Sequence, residues 1–263
     1  MPSVDPTAEA LSLVRDCASE VSPNGMARWY ESYVRMQSPR IAVDVDLAGE
    51  LLPAHSRILD LGAVPPLLML ALRHEGHSVT GLDIDPDRFG EAIREHGLDI
   101  RRCNIEQDPF PFEDASFDAV ICNEVLEHLR MNPVHTLREA RRVLRPGGTL
   151  LLSSPNLRSM DGVWNLLVHG RSFALAHSVY DEYGKLERLG HMGHVREYAP
   201  GDVRELLGRV GFEVRQVIYR GRQRKAVAEA FCRVVPQARK FATYVATATE
   251  VQRPGPRESA SRA

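Results

Sequence analysis

Four short stretches of this chain gather residues that can do chemistry. The first is Asp60-Leu61-Gly62-Ala63-Val64-Pro65-Pro66 and the second is Asp83-Ile84-Asp85. Gly62 and Asp83 stand about 20 residues apart, the interval between a glycine turn and the acid that holds a ribose. A carboxylate at Asp83 can accept from both ribose hydroxyls; capping of the next helix is the competing role, and it suits Asp85 better. The third stretch is Glu124-Val125-Leu126-Glu127-His128. On a helix, positions i, i+3 and i+4 share a face, so two carboxylates and an imidazole would meet as a site for Mg²⁺, Mn²⁺ or Zn²⁺. Helix capping, ligand contact or a role as base are the alternatives. The fourth runs from His191 to Tyr198. His191, His194 or Glu197 can take a proton from a substrate hydroxyl near neutral pH, whereas Tyr198 is better suited to pinning this segment to its neighbours.

The elements that must hold these residues begin near Arg57. Short apolar strands at Ile58–Gly62, His77–Ile84, Asp99–Cys103, Phe117–Cys122 and Thr149–Ser153 alternate with helices at Leu67–Glu75, Pro86–His96, from Glu124, and Pro133–Val143. This alternation argues an α/β, doubly wound, parallel sheet covered on both faces. Such a sheet binds ligands at the carboxyl ends of its strands, where strand order reverses, and the first three stretches fall there. Residues 157–198 break the pattern and read as an inserted lid. A helix at Ala199–Val210, a strand at Phe212–Ile218, a basic amphipathic helix at Arg224–Val235 and a strand at Phe241–Thr249 follow. Residues 5–20 and 26–52 are helical, the second broken near Ser38-Pro39, because the residue before proline disfavours the α conformation. The expected division is an N-terminal helical cap over 1–52, a ligand-binding domain over 53–251 and a disordered tail over 252–263. Trp29, Tyr30 and Tyr33 are either core or a cover over the ligand. The basic run Arg220–Lys225 is a solvated loop or a contact for phosphate or an anionic lipid headgroup.

Composition narrows the partners. Of 263 residues, 43% are hydrophobic and 26% charged, with a net charge of −2, so no clustered basicity calls for nucleic acid. Cys17, Cys103, Cys122 and Cys232 form no CxxC pair and read as reduced thiols. Met1–Ala10 lacks the apolar core of a secretory signal, and no stretch nears the roughly 20 apolar residues of a membrane span. A cytoplasmic location is expected.

The motifs ILDLG (58–62), VTGLDIDP (79–86), FPFEDASFDAVICNEVLEHL (110–129) and LREARRVLRPGGTLLLSSPN (137–156), with GHVREYAPGDVRELLGRVGFEV (193–214), resemble the successive motifs of class I S-adenosylmethionine (SAM)-dependent methyltransferases. The resemblance implies a Rossmann-like, mostly parallel seven-stranded sheet and SAM as cofactor. It implies that Asp60, Gly62 and Ala63 lie by the methionine part of SAM and Asp83 with Ile84 by the ribose. Asn104 and Ile105 would lie by the adenine, and Asn123 near the methionine moiety. Asn104 stands where the family usually has Asp. Tyr33 would reach the methionine carboxylate if the aromatic cluster covers the ligand. One departure is sharp: the second glycine of the family's Asp-x-Gly-x-Gly turn is Val64, followed by Pro65 and Pro66. A Cβ and two missing N–H donors imply that the methionine carboxylate sits differently or binds more weakly.

The Glu-x-x-Glu-His pattern also resembles the metal motif of ubiquinone-pathway O-methyltransferases and small-RNA 2′-O-methyltransferases. That resemblance implies a metal set of Glu124, Glu127, His128 and His194. The implied activity is in-line methyl transfer to a hydroxyl oxygen of a small-molecule, glycan or lipid-linked acceptor, with His194 or His128 as base and Glu197 as a third candidate. Two rivals stand beside it: a metal-assisted RNA 2′-O-methyltransferase, and a non-catalytic relative that has lost SAM through its altered glycine turn.

Overall fold

The structure, a computed structural model, describes residues 5–23, 25–176, 178–189, 193–223 and 225–249. His191, Arg224 and the expected tail over 252–263 lie outside the described residues. Strands β1 (Arg57–Leu61), β2 (Ser78–Asp83), β3 (Asp99–Arg102), β4 (Phe117–Asn123), β5 (Leu144–Pro155), β6 (Phe212–Arg220) and β7 (Phe241–Ala248) form one seven-stranded sheet in the order β3-β2-β1-β4-β5-β7-β6. The first five pair in parallel, and β7 runs antiparallel to both β5 and β6. Strand order reverses between β1 and β4, which are direct neighbours. This is the Rossmann-like, mostly parallel sheet expected.

Helices cover both faces. Against one lie α1 (Ala8–Glu20), α2 (Ala27–Leu51) and α3 (Leu67–His74), whose apolar residues share a core with Ile58, Ala119 and Ile121. The other face packs α5 (Pro133–Val143) and α8 (Pro200–Arg209) against Leu59, Val120 and Leu150. α4 (Gly90–Glu95) links β2 to β3 after a 3-10 turn at Pro86–Phe89. Three N-cap side chains make the conventional bond: Thr7 accepts from Ala10 N–H, Asn132 from His135 N–H and Ser159 from Gly162 N–H, each at 3.1 Å.

Two expectations are corrected. α2 is not broken at Ser38-Pro39 but runs through Pro39 as one 25-residue helix. An interior proline costs about 3 kcal/mol; here Ile41, Ala42, Val45, Leu47 and Ala48 are all buried beyond it, and that burial outweighs the cost. The second correction is the segment 157–198, which is not irregular throughout. It contains α6 (Met160–His169), capped by Ser159, and α7 (Val179–Leu189).

Candidate functional site

A cavity of about 570 Å³ opens at the carboxyl ends of β1, β2 and β4. Its walls include Gly62, Asp83, Ile84, Asn104, Ile105 and Asn123 from the strand ends, and Tyr33 from α2. Glu124, Glu127, His128 and His194 line the same cavity. Three of the residues chosen from the sequence do not. Asp60 is only 5% exposed on β1, and Ala63 is 1% exposed, wedged so tightly beneath Gly81 that a Cβ there would come within 2.6 Å of its own. Glu197 is also absent from the wall, for a reason given below.

The glycine turn explains its own departure from the family pattern. Gly62 has φ +75°, and a Cβ on it would stand 2.7 Å from Val125 Cγ2. Its N–H and that of Ala63 donate to Leu82 O at 2.8 and 3.2 Å. Val64 N–H donates to Asp83 Oδ2 at 3.1 Å, and Asp85 N–H to Asp83 Oδ1 at 2.8 Å. Asp85 makes no side-chain cap on the following turn; it pairs with Arg88 and Arg102. The turn's amides are therefore engaged within the protein, and Pro65 and Pro66 have none. The positive charge that faces the cavity comes from elsewhere. Arg40 on α2 lines the wall, its side chain 16% exposed, with Nη1 3.4 Å from Glu124 Oε2. Its buried Nε has no hydrogen-bond partner among the described residues. Arg40 was not singled out from the sequence, although it stands seven residues beyond Tyr33 on one helix face.

The aromatic cluster divides. Trp29 and Tyr33 stack at 5.2 Å and line the cavity, whereas Tyr30 is core and its hydroxyl donates to Ala18 O at 3.0 Å. Burial raises the Tyr33 phenol above its ordinary pKa. At the adenine end, Asn104 uses its amide within its own turn, accepting from Glu106 N–H at 3.2 Å and donating to Gln107 Oε1 at 3.2 Å.

The Glu124–His128 stretch is not the helix its spacing suggests. Glu124 has φ +55°, and only a 3-10 turn at Leu126–His128 follows. Glu124 is drawn aside, accepting from Ser153 Oγ at 2.9 Å and pairing with Arg40. It drops out of the expected four-ligand metal set. Glu127, His128 and His194 remain together, each offering a ligand atom within 4.8 Å of the others. Val195 N–H donates to Glu127 O at 2.9 Å, which seats the lid segment over the turn.

Both histidines have one ring nitrogen committed. His128 Nδ1 lies 3.0 Å from Gly193 O, and His194 Nδ1 lies 3.0 Å from Glu197 Oε1. The acceptors require N–H at Nδ1, which leaves each Nε2 with its lone pair. Burial, followed by the neighbouring His194, lowers His128 to a pKa of about 4. Glu127 is fully buried, neither of its oxygens has a partner among the described residues, and burial pushes it up to about 8. Both amide atoms of Asn123 are likewise buried without partners. Glu197 is engaged elsewhere: its oxygens accept from the N–H groups of Ala174, Leu175 and Ala176 as well as pairing with His194. It is a positioning residue that anchors the lid and orients His194. Tyr198 is 5% exposed and joined to Asn156 by a β-bridge, so it pins the lid base to the sheet.

The basic run is corrected at its first residue. Arg220 is 2% exposed, donates to Asp44 Oδ1 at 2.6 Å, and so ties β6 to α2. Close by, burial and then the charges of Asp44 and Asp83 push Asp60 up to about 8. All four cysteines are buried and free.

Residues 59–152 match the family model of the methyltransferase domain. Curated relatives include ubiquinone biosynthesis O-methyltransferases. That of Xanthomonas oryzae is 36% identical over 121 residues, 44% of this chain and 47% of the relative. That of Xylella fastidiosa is 34% identical over 106 residues, 38% of this chain and 42% of the relative. The chain thus spans about half the length of the first of these relatives. A SAM-dependent methyltransferase of Thermotoga maritima shares the fold with a TM-score of 0.55 at 16% identity, covering 85% of this chain and 96% of the other. The [4+2]-cyclase SpnF does so with 0.54 at 19% identity, covering 80% and 82%. Those structural likenesses speak for the fold alone. The segment 59–152 thus matches a methyltransferase domain, its motif order resembles that of class I SAM-dependent methyltransferases, and the solved structures share the fold.

Proposed function

We propose that this chain transfers a methyl group from SAM to a hydroxyl oxygen of a small-molecule, glycan or lipid-linked acceptor. The observation that carries the reading is the cavity at the strand-order reversal, where Asn123 and Glu127 hold buried polar atoms without partners beside Asp83. Buried polar groups are rarely left unsatisfied, so these atoms await a ligand. Relatives named O-methyltransferases support oxygen as the target atom.

The residues present suit SAM. Asp83 would take the ribose, the apolar edge of Ile84 and Ile105 the adenine, and Asn123 the methionine end. Arg40, helped by Tyr33, would hold the carboxylate that the altered turn cannot. SAM brings its own activated methyl, so the protein's part is orientation and proton removal. His194 is the better base: Glu197 fixes its tautomer and would stabilise the charged ring. His128, with its pKa near 4, holds a proton poorly at neutral pH. The three N/O donors of Glu127, His128 and His194 also suit a divalent cation, which would take the His194 Nε2 lone pair in place of the base role. Such an ion would lower the proton affinity of an acceptor hydroxyl.

Calorimetric titration with SAM and S-adenosylhomocysteine, with and without Mg²⁺ or Mn²⁺, tests the reading. Binding that is lost in Asp83→Ala supports it; a folded Asp83→Asn, checked by circular dichroism, separates ligand loss from a damaged turn. Absence of binding by the wild-type chain in every condition would replace the reading with a non-catalytic one.

A further inference from the structure

We infer that Arg220 is a positioning residue for the cofactor, an assignment that rests on the role proposed for Arg40 at the methionine carboxylate. From the end of β6, Arg220 fixes the turn of α2 that carries Arg40. The helix is locally weakened there. Pro39 has no N–H to give to Arg35 O, and its ring crowds that carbonyl. One residue earlier, Ser38 Oγ donates to Val34 O at 2.6 Å, a type of bond that often bends helices. Arg220 makes up the deficit from outside. Its Nη1 donates to Arg40 O at 3.2 Å and to Asp44 Oδ1 at 2.6 Å, so it grips the main chain at Arg40 and a side chain one turn later. Arg220 stands opposite Phe241 of β7 in the sheet register, and Phe241 lines the cavity together with Arg40. The clamp therefore joins a strand pair at the cavity wall to the helix that carries the cation.

Stability alone does not account for the pair. Arg220 and Asp44 are both buried, and Arg220 Nε and Nη2 have no hydrogen-bond partner among the described residues. Taking two charges out of water costs about as much as their attraction returns, and apolar residues of similar volume often serve a fold as well or better. What apolar side chains cannot supply is a directed bond to Arg40 O. That bond sets the rotation and height of one helical turn. With it comes the direction from which the Arg40 guanidinium, its Nη1 3.4 Å from Glu124 Oε2, meets the cavity. A misplacement of about 1 Å in such a group is enough to cost up to about 100-fold. Among the described residues no helix is long and apolar enough to cross a membrane.

Calorimetric titration of the full chain with S-adenosylhomocysteine and with methylthioadenosine, which lacks the amino-acid end, tests the assignment. Asp44→Leu/Arg220→Met is expected to bind S-adenosylhomocysteine about tenfold more weakly than the wild-type chain, and methylthioadenosine equally well. In an Arg40→Gln background the same two changes should cost nothing further, because Arg220 acts through Arg40. Arg220→Lys is the second probe, should the apolar pair not fold. It keeps a point charge opposite Asp44 but lacks the planar fork, and the same split between the ligands is expected. Equal losses for the two ligands, or unchanged binding of both, would overturn the assignment and leave SAM binding in place. A further loss in the Arg40→Gln background as large as in the wild-type one would overturn it too. Absence of binding by the wild-type chain would remove both the assignment and the cofactor site on which it rests.

Discussion

At the scale of single residues, Arg40 and Asp83 line one ligand-sized cavity and come from unrelated parts of the chain. Asp83 was readable because it ends a strand about 20 residues after a glycine turn, a spacing set by the βαβ unit itself. Arg40 was not, because nothing in its own spacing states that α2 docks over the strand ends. The same limit applies to Glu197, whose residue type suggested a base while its partners, three backbone N–H groups, are supplied by a lid 21 to 23 residues earlier. If Arg40 holds the methionine carboxylate, Arg40→Gln should weaken SAM about 10- to 100-fold, the worth of one charged hydrogen bond of about 1.5–3 kcal/mol. Methylthioadenosine, which lacks the amino-acid end, should bind as before. Calorimetry with the two ligands separates the cases: equal losses for both would mean that Arg40 only holds the fold.

At the scale of elements, periodicity carried the strands and the long helices but misjudged two joints. The i, i+3, i+4 spacing of Glu124, Glu127 and His128 was read as a helix face; the left-handed Glu124 and a single 3-10 turn group only the last two, and His194 joins them from the lid. A left-handed non-glycine residue leaves no reliable mark in a sequence, so this could not be foreseen. The break expected at Pro39 failed for the opposite reason, since a local rule was overridden by burial on both sides of the proline. The lid helices were missed because α6 is apolar on nearly every side and so shows no clean 3.6-residue period. The joint between β1 and β4 yields a sharp prediction. Gly62→Ala would combine φ +75° with a 2.7 Å approach to Val125. A left-handed alanine alone costs about 1–3 kcal/mol. Urea unfolding should show at least that loss, and SAM affinity should fall with it because Val125 lines the same wall.

At the scale of the whole molecule, the N-terminal helices are bound to the sheet by charge as well as by apolar contact. The buried Asp44–Arg220 pair, at 2.6 Å, joins α2 to the far strand β6. Removing one partner strands the other, so Asp44→Ala should destabilise the chain by about 3–5 kcal/mol, while Asp44→Leu with Arg220→Met should recover most of it. Chemical denaturation of Asp44→Leu, Arg220→Met and the double variant beside the wild-type chain completes a double-mutant cycle that checks this. The same acids govern the pH response. Asp60 is raised to about 8, first by burial and then by Asp44 and Asp83. The folded chain therefore holds this proton more tightly than the unfolded chain, whose aspartate titrates near 3.9. Below about pH 4 both states are protonated and the contribution to stability is fully present. Between about pH 4 and 8 only the unfolded state has released the proton, so stability falls as pH rises; above about 8 the loss is complete and the slope vanishes. Asp60→Asn abolishes this titration, so its stability relative to the wild-type chain should climb from pH 5 to pH 8 and then level off. Urea melts at pH 5, 7 and 9 read the difference directly. A constant difference across the three would mean that Asp60 is ionised in the folded chain throughout.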